Sequence, residues 1–189
     1  MLISMQDVKD FLGISSSQTT DDDKIALLCQ AAQDEADNAV GYTLEGSTFI
    51  EYQDGDGTDI IQLRNIPVKS ITSIYDDTDW VYGADTLILS TDYTFNADSG
   101  IVRTVGLTTM LGVNNLKITY LAGYNGLGQS SYTNLPYDLR QAIIYLTSAM
   151  YLEGKAGVAV MEGQEIVYRP EYLKKEAYKT FDIYRRYHL

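Results

Sequence analysis

The feature that most constrains this chain is a change of hydrophobic period along it. From about residue 46 to 121 apolar residues alternate with polar ones or come in short runs, whereas the segments on both sides repeat every three to four residues. Period two places alternate side chains on opposite faces of a strand, and period 3.6 builds one stripe on a helix. A β region is therefore inserted between helical segments. The strands are expected at Thr48–Gln53, Ile60–Leu63, Val68–Tyr75, Trp80–Tyr82, Thr86–Leu89, Tyr93–Asn96, Ile101–Thr104 and Leu116–Leu121. Turn residues separate them, among them Asp54-Gly55-Asp56-Gly57, Asn65, Pro67, Asp76-Asp77, Gly83, Asp98-Ser99-Gly100 and Asn114-Asn115. No helical segment lies between strands, so the sheet is antiparallel rather than βαβ.

The flanks read as helices with start and stop signals. Ser4 caps a short helix that ends at Gly13, with Met5, Val8, Phe11 and Leu12 on one face. Thr20 is expected to cap a longer helix over about 21–40, with Asp21, Asp22 and Asp23 in its first turn, where carboxylates favour the helix dipole. Ile25, Leu28, Cys29, Ala32, Ala36 and Val40 form its stripe, and Gly41 stops it. Asn134 or a neighbour caps a third helix to about 153, with Pro136 in the first turn. That helix is apolar on most sides, as a helix buried between neighbours is. Pro170 opens a fourth, to about 187, with Leu173, Ala177, Phe181 and Tyr184 on one stripe. Residues 154–168, with Gly154, Gly157 and Gly163, are expected to be a mobile loop.

The fold class is α+β: a small helical bundle of about four helices (1–45 and 130–189) carrying a large inserted antiparallel β domain (46–122).

Charge and composition narrow the function. Net charge is -12 over 189 residues. Residues 1–135 hold 6 Lys/Arg against 19 Asp/Glu, and residues 136–189 hold 8 against 7. An acidic surface repels phosphate backbones and anionic membranes, which disfavours DNA binding as the main activity. It leaves room for an acidic wall past which DNA slides. Apolar runs fall well short of the roughly 20 residues that span a bilayer, and the N-terminus shows no signal-peptide pattern. The lone Cys29 forms no intrachain disulfide, sits at helical spacing among apolar residues, and reads as a buried structural thiol. A reducing site of synthesis fits this.

Chemistry-bearing motifs are absent from the sequence. Asp54-Gly55-Asp56-Gly57-Thr58-Asp59 begins like a calcium loop, but position six is Asp59 and position twelve Asn65, so an EF-hand fails and a β turn stands. Gly123-Tyr124-Asn125-Gly126-Leu127-Gly128 lacks the Lys-Ser/Thr of a phosphate loop and reads as a flexible connector. The only histidine, His188, is next to last, where a helix end or tail is expected. No catalytic, metal or cofactor residues are assigned. Sixteen tyrosines instead suit protein–protein contacts, where an aromatic body with a polar tip is favoured. Trp80, with Tyr75 and Tyr82 near it, leaves open a carbohydrate- or host-surface-binding module on the β domain, against packing in the core or a subunit contact.

Taken in order, the motifs resemble one family. Met5-Gln6-Asp7-Val8-Lys9-Asp10-Phe11-Leu12, then Thr20-Asp21-Asp22-Asp23-Lys24-Ile25, Ala31-Ala32 and Gly41-Tyr42 are similar to the start of the head–tail connector proteins of tailed bacteriophages. Leu63-Arg64-Asn65-Ile66-Pro67-Val68-Lys69-Ser70-Ile71-Thr72-Ser73-Ile74, Asp92-Tyr93 and Ile118-Thr119-Tyr120-Leu121-Ala122-Gly123-Tyr124 resemble the middle of the longer members. Leu135-Pro136-Tyr137-Asp138-Leu139-Arg140-Gln141-Ala142 resembles their closing helix. The likeness covers about 1–152, and the size of the β insert departs from the shortest members.

The resemblance implies a structural virion protein, not an enzyme. It implies a homo-oligomeric ring, on the order of twelve copies, beneath the portal protein in the virion neck, made in the host bacterial cytoplasm. Such a ring extends the DNA channel without sequence-specific binding and docks the downstream neck or tail-completion protein, with no membrane contact and no cofactor. It also implies that the C-terminal segment 165–189 reaches the portal, with Tyr172, Tyr178, Phe181, Tyr184, Arg185 and Arg186 as the candidate contacts.

Overall fold

The computed structural model describes residues 1–154 and 169–186. The segment expected to be mobile lies, from residue 155 to 168, outside the described residues, as does His188. The chain divides into two compact units: Met1–Tyr42, Gly126–Gln129 and Asn134–Leu189 in one, Thr43–Asn125 and Ser130–Thr133 in the other.

The first unit is helical: α1 (Met5–Leu12), α2 (Asp22–Val40), α3 (Tyr137–Glu153) and α4 (Pro170–Tyr184). Its start is set by a capping box. Ser4 Oγ accepts from the Asp7 amide at 3.1 Å, and Asp7 Oδ2 accepts from the Ser4 amide at 2.8 Å. Arg140 of α3 donates to the other Asp7 oxygen at 2.8 Å, which ties α1 to α3. Burial raises the Asp7 pKa, but the Ser4 amide and Arg140 outweigh it and hold the carboxyl below its ordinary value. Ser4→Ala removes one partner of the box and is expected to cost about 1 kcal/mol, read as a lowered midpoint in thermal unfolding.

α3 is the central helix, packed against α1, α2 and α4. Leu139, Ala142, Ile143, Leu146, Ala149 and Leu152 are buried, and so are Thr147, Ser148 and Tyr151 on its other sides. This all-round burial matches its all-round apolar sequence. α4 buries Leu173, Ala177 and Phe181, spaced by four, and leaves its opposite face in solvent.

Two helix starts differ from the sequence expectation. Thr20 does not cap α2; Asp21 stands at the N-cap without a side-chain cap bond, and its carboxylate accepts from Tyr151 of α3 at 2.7 Å. For α3 it is Pro136, not Asn134, that occupies the N-cap.

The second unit is an antiparallel β structure of two sheets. One has the order β1 (Ser47–Gly55), β7 (Gly112–Ala122), β3 (Val68–Asp76), β4 (Leu87–Ile88). The other has the order β2 (Ile60–Gln62), β6 (Ile101–Thr104), β5 (Tyr93–Phe95). Both contribute to a single core of Ile61, Leu63, Ile74, Val102, Ile118 and Tyr120 with their neighbours. The α+β class follows from four helices and seven strands among the described residues.

Three expectations are corrected here. Trp80–Tyr82 is not a strand but a turn, with Trp80 at φ 58° and Tyr82 at φ 53°. Aromatic and β-branched residues favour strands by packing on a pleated surface, and here a hydrogen-bonded turn overrides that tendency. Thr86–Leu89 is a single 3₁₀ turn (Ala84–Thr86) followed by the two-residue β4. The first half of Gly123–Gly128 is not a loose connector. Tyr124 N–H donates to Leu44 O, Gly46 N–H to Tyr124 O, and Asn125 N–H to Thr133 O, each at 2.7 Å. Gly123, at φ 101°, comes so close to the Gly46 backbone that a Cβ would stand 2.7 Å from it. The Asp54–Asp59 stretch forms a tight turn, in which Asp56 Oδ1 accepts from the Thr58 amide at 2.9 Å and the Thr58 hydroxyl at 2.7 Å.

Candidate assembly surfaces

In the helical unit the six candidate contact residues separate by what they touch. Phe181 is fully buried and packs edge-on against Tyr178, with ring centroids 5.9 Å apart. Tyr178 donates its hydroxyl to Glu35 of α2, and Tyr184 donates to Asp138 at the start of α3. Arg185 Nε donates to Ala39 O at 3.0 Å, and the Arg186 amide donates to Val40 O at 2.8 Å. α2 has no basic residue in its own last turn, so these groups meet its terminal carbonyls and the negative end of its dipole. Tyr172 is the most exposed of the six at 61%. Steps of three and four residues set it on one open face with Lys175, Lys179 and Ile183, the last 75% exposed.

Cys29 is buried, and burial raises its thiol pKa to about 11, with Asp7 adding a smaller push. The Glu35 hydrogen bond raises Tyr178 to about 12, and burial raises Tyr120 to about 12. All three folded values lie above the ordinary 9.0 and 10.0. Below those ordinary values their contribution to stability is complete. It is lost as pH rises toward the folded values, because the unfolded chain releases its protons first. Stability is therefore expected to fall between about pH 9 and 12, measured by denaturant unfolding at stepped pH, and Tyr120→Phe should flatten part of that fall.

In the β unit the four-stranded sheet turns one face to the core and the other to solvent. Tyr52, Lys117 and Tyr75 stand in register across β1, β7 and β3. Tyr82 closes over this row: its ring lies 5.7 Å from Tyr52, 6.5 Å from Tyr75, and 5.1 Å beneath the Lys117 ammonium. Beside it Trp80 is 61% exposed and donates from its indole to Val113 O at 2.9 Å. The Tyr82 hydroxyl donates to Asn114 O at 2.6 Å. Ile50, Val81, Leu111 and Val113 are also solvent exposed. Of the two packing alternatives for Trp80, core or subunit contact, its exposure excludes the core; it sits on the surface.

Two buried carboxylates hold this surface in shape. Asp77 Oδ1 accepts from the Asp79 amide at 2.8 Å, and Oδ2 accepts from the Tyr82 amide at 2.6 Å. Asp76 accepts from the Met110 amide and from the Asn115 side chain, both at 2.7 Å. Asn115 accepts in turn from the Gly55 amide at 2.7 Å. A left-handed backbone costs a non-glycine residue roughly 1–2 kcal/mol, and the Asp77 bonds offset that cost at Tyr82. The sequence reading took Asp76-Asp77 as turn punctuation and missed this role. A usable signal existed in β1, where Ile50 and Tyr52 alternate with Phe49 and Glu51 and place apolar residues on both faces.

No helix is long and apolar enough to cross a membrane among the described residues. The described residues also contain no grouping of three or more side chains suited to a metal ion.

The head completion protein family matches residues 1–187, so the chain belongs to that family. Among solved structures it is similar to a chain from the virion of a native gene transfer agent particle. The TM-score is 0.66 at 17% identity, covering 99% of this chain and 91% of that one. A chain from the neck of an empty gene transfer agent particle, computed with C6 symmetry, gives 0.63 at 16% identity, with coverages of 99% and 91%. One from the neck of the native particle, computed with C12 symmetry, gives 0.60 at 17%, with coverages of 98% and 89%. At these identities the likeness concerns the fold. No curated protein matches the chain.

Proposed function

We propose that this chain is a structural head–tail connector subunit. In this reading, copies form a ring in the neck of a virion, beneath the portal protein, after DNA packaging. The ring continues the DNA channel and gives the next neck or tail-completion protein its landing surface. The observation that carries the reading is membership of the head completion protein family over nearly the whole chain. The C6- and C12-symmetric necks in which similar folds occur support a ring, and about twelve copies fit the second of them. A net charge of -12 suits a wall past which DNA moves without being gripped. The portal is met by the end of the C-terminal segment, around Tyr184, Arg185 and Arg186.

Deleting the gene from the genome that encodes the chain tests this directly. DNA-filled heads without tails are expected, and tailed infectious particles made at the normal level would overturn the reading. The exposed Trp80 favours a second reading, a carbohydrate-binding module. Against it, the Tyr52 and Tyr82 rings are tilted by 59° and make no shared flat platform for a sugar. Glycan binding that is lost on Trp80→Ala would carry it.

A further inference from the structure

A ring of more than two identical chains needs two different, mutually complementary patches on each chain, because its contacts run head to tail. The chain carries two patches that fit this description. The first is the aromatic surface of the β unit. Trp80 and Tyr82 have left-handed backbones, and a buried Asp77 holds the turn between them. Backbone strain of this kind persists where surrounding structure over-determines it, and it clusters at functional sites. The product is a rigid exposed knob of Trp80 and Val81, the latter 78% exposed. Residues 43–125 hold 4 Lys/Arg against 11 Asp/Glu. Of these acids, Asp79 and Asp85 lie on the knob segment, and Asp54 accepts from the Asn114 amide beside Val113.

The second patch is the open face of α4. Residues 169–186 carry 6 Lys/Arg against 3 Asp/Glu, an excess of positive charge in an acidic protein. Its exposed face presents Tyr172 and Ile183 with Lys175 and Lys179 between them. An apolar pair flanking two ammonium groups complements an aromatic knob rimmed by carboxylates, in hydrophobicity and in charge.

We propose that the open face of α4 from one copy docks on the Trp80 knob of the next copy, and that this contact closes the ring. The proposal rests on the connector reading and adds the surface by which the copies join. The occupant of the knob is a second copy of this chain rather than a portal, a glycan or DNA. The net-positive stretch that such an acidic rim requires is present in the chain itself.

Two full-length variants test it, Lys175→Glu/Lys179→Glu and Asp79→Lys/Asp85→Lys. Both change exposed side chains, and circular dichroism checks that each folds. Assembly is followed by native mass spectrometry and electron microscopy under the conditions in which the unaltered chain forms rings, alone or on portal rings from the same genome. Each variant by itself is expected to associate about 100-fold more weakly, since like charges then face each other. An equal mixture is expected to regain rings with the two variants alternating. Variants that assemble like the unaltered chain, or a mixture that stays dissociated, would overturn this contact while leaving the connector reading intact. An unaltered chain that forms no ring even on portals would overturn the connector reading and this contact with it. Glycan or portal capture that depends on Trp80, with ring formation unchanged by Trp80→Ala, would assign the knob to that other partner.

Discussion

Replacing Lys9 by alanine is expected to destabilise the helical unit by about 2–4 kcal/mol, because a buried stem is lost from the core and three acceptors lose their donor. The Lys9 side chain is 1% exposed, yet it is a lysine on an exposed-looking polar turn of α1. Its stem lies in the core, and its ammonium is met by Gln18 O at 2.6 Å, Asp22 Oδ1 at 2.8 Å and Ser16 O at 3.5 Å. One side chain thus pins the polar loop 14–20 to α1 and to the first turn of α2. Alanine removes the stem from the core and leaves those acceptors without their donor. Lys9→Met keeps the stem and is expected to lose less, about 1–2 kcal/mol, because Asp22 is partly exposed and water can reach it. Denaturant unfolding followed by helical circular dichroism separates the two. Equal, small losses would mean that Lys9 is not the tie the structure shows.

The second large effect lies at Asn115. This side chain is fully buried and closes a circuit: it accepts from Gly55 N–H and donates to Asp76 and to Met110 O, the last at 2.9 Å. Asn115→Ala leaves a buried amide and a buried carboxylate oxygen unpaired, each worth about 1–3 kcal/mol, so the β unit is expected to lose about 3 kcal/mol or more. Faster amide hydrogen exchange at Gly55, Tyr82 and Met110 would locate the damage. Asn115→Asp has the same shape but sets a carboxylate against Asp76. Its loss should therefore be greatest at neutral pH and smaller in mild acid, where one of the pair can hold a proton. Gly55→Ala attacks the same circuit from the other side, since its Cβ would stand 1.9 Å from Met110 O, a backbone atom that cannot swing away.

The helices were legible because their signals are local. Ser4, Gly13, Gly41 and Pro170 act within a few residues of where they stand, and the stripes at Ile25–Val40 and Leu173–Phe181 follow from spacing alone. The strands were legible for the same reason, from alternation and turn residues. What failed depended on partners far away in the chain. Asp21 rather than Thr20 stands at the N-cap, and its carboxylate is held by Tyr151, 130 residues later. Trp80–Tyr82 became a turn through Asp77 and through contacts with Val113 and Asn114, more than 30 residues on. The buried ammonium of Lys9 is invisible to any hydropathy pattern. The candidate contacts on α4 were a matter of placement: Phe181 lies on the buried face, whereas Ile183 and Lys179, two residues either side of it, lie on the open one.

Sedimentation of the purified chain, alone and mixed with portal rings from the same genome, tests the connector account most directly. The account predicts that the chain co-sediments with the portal as a ring-on-ring complex, with self-association that rises with concentration. A monomer at every concentration that leaves the portal boundary unchanged would contradict it.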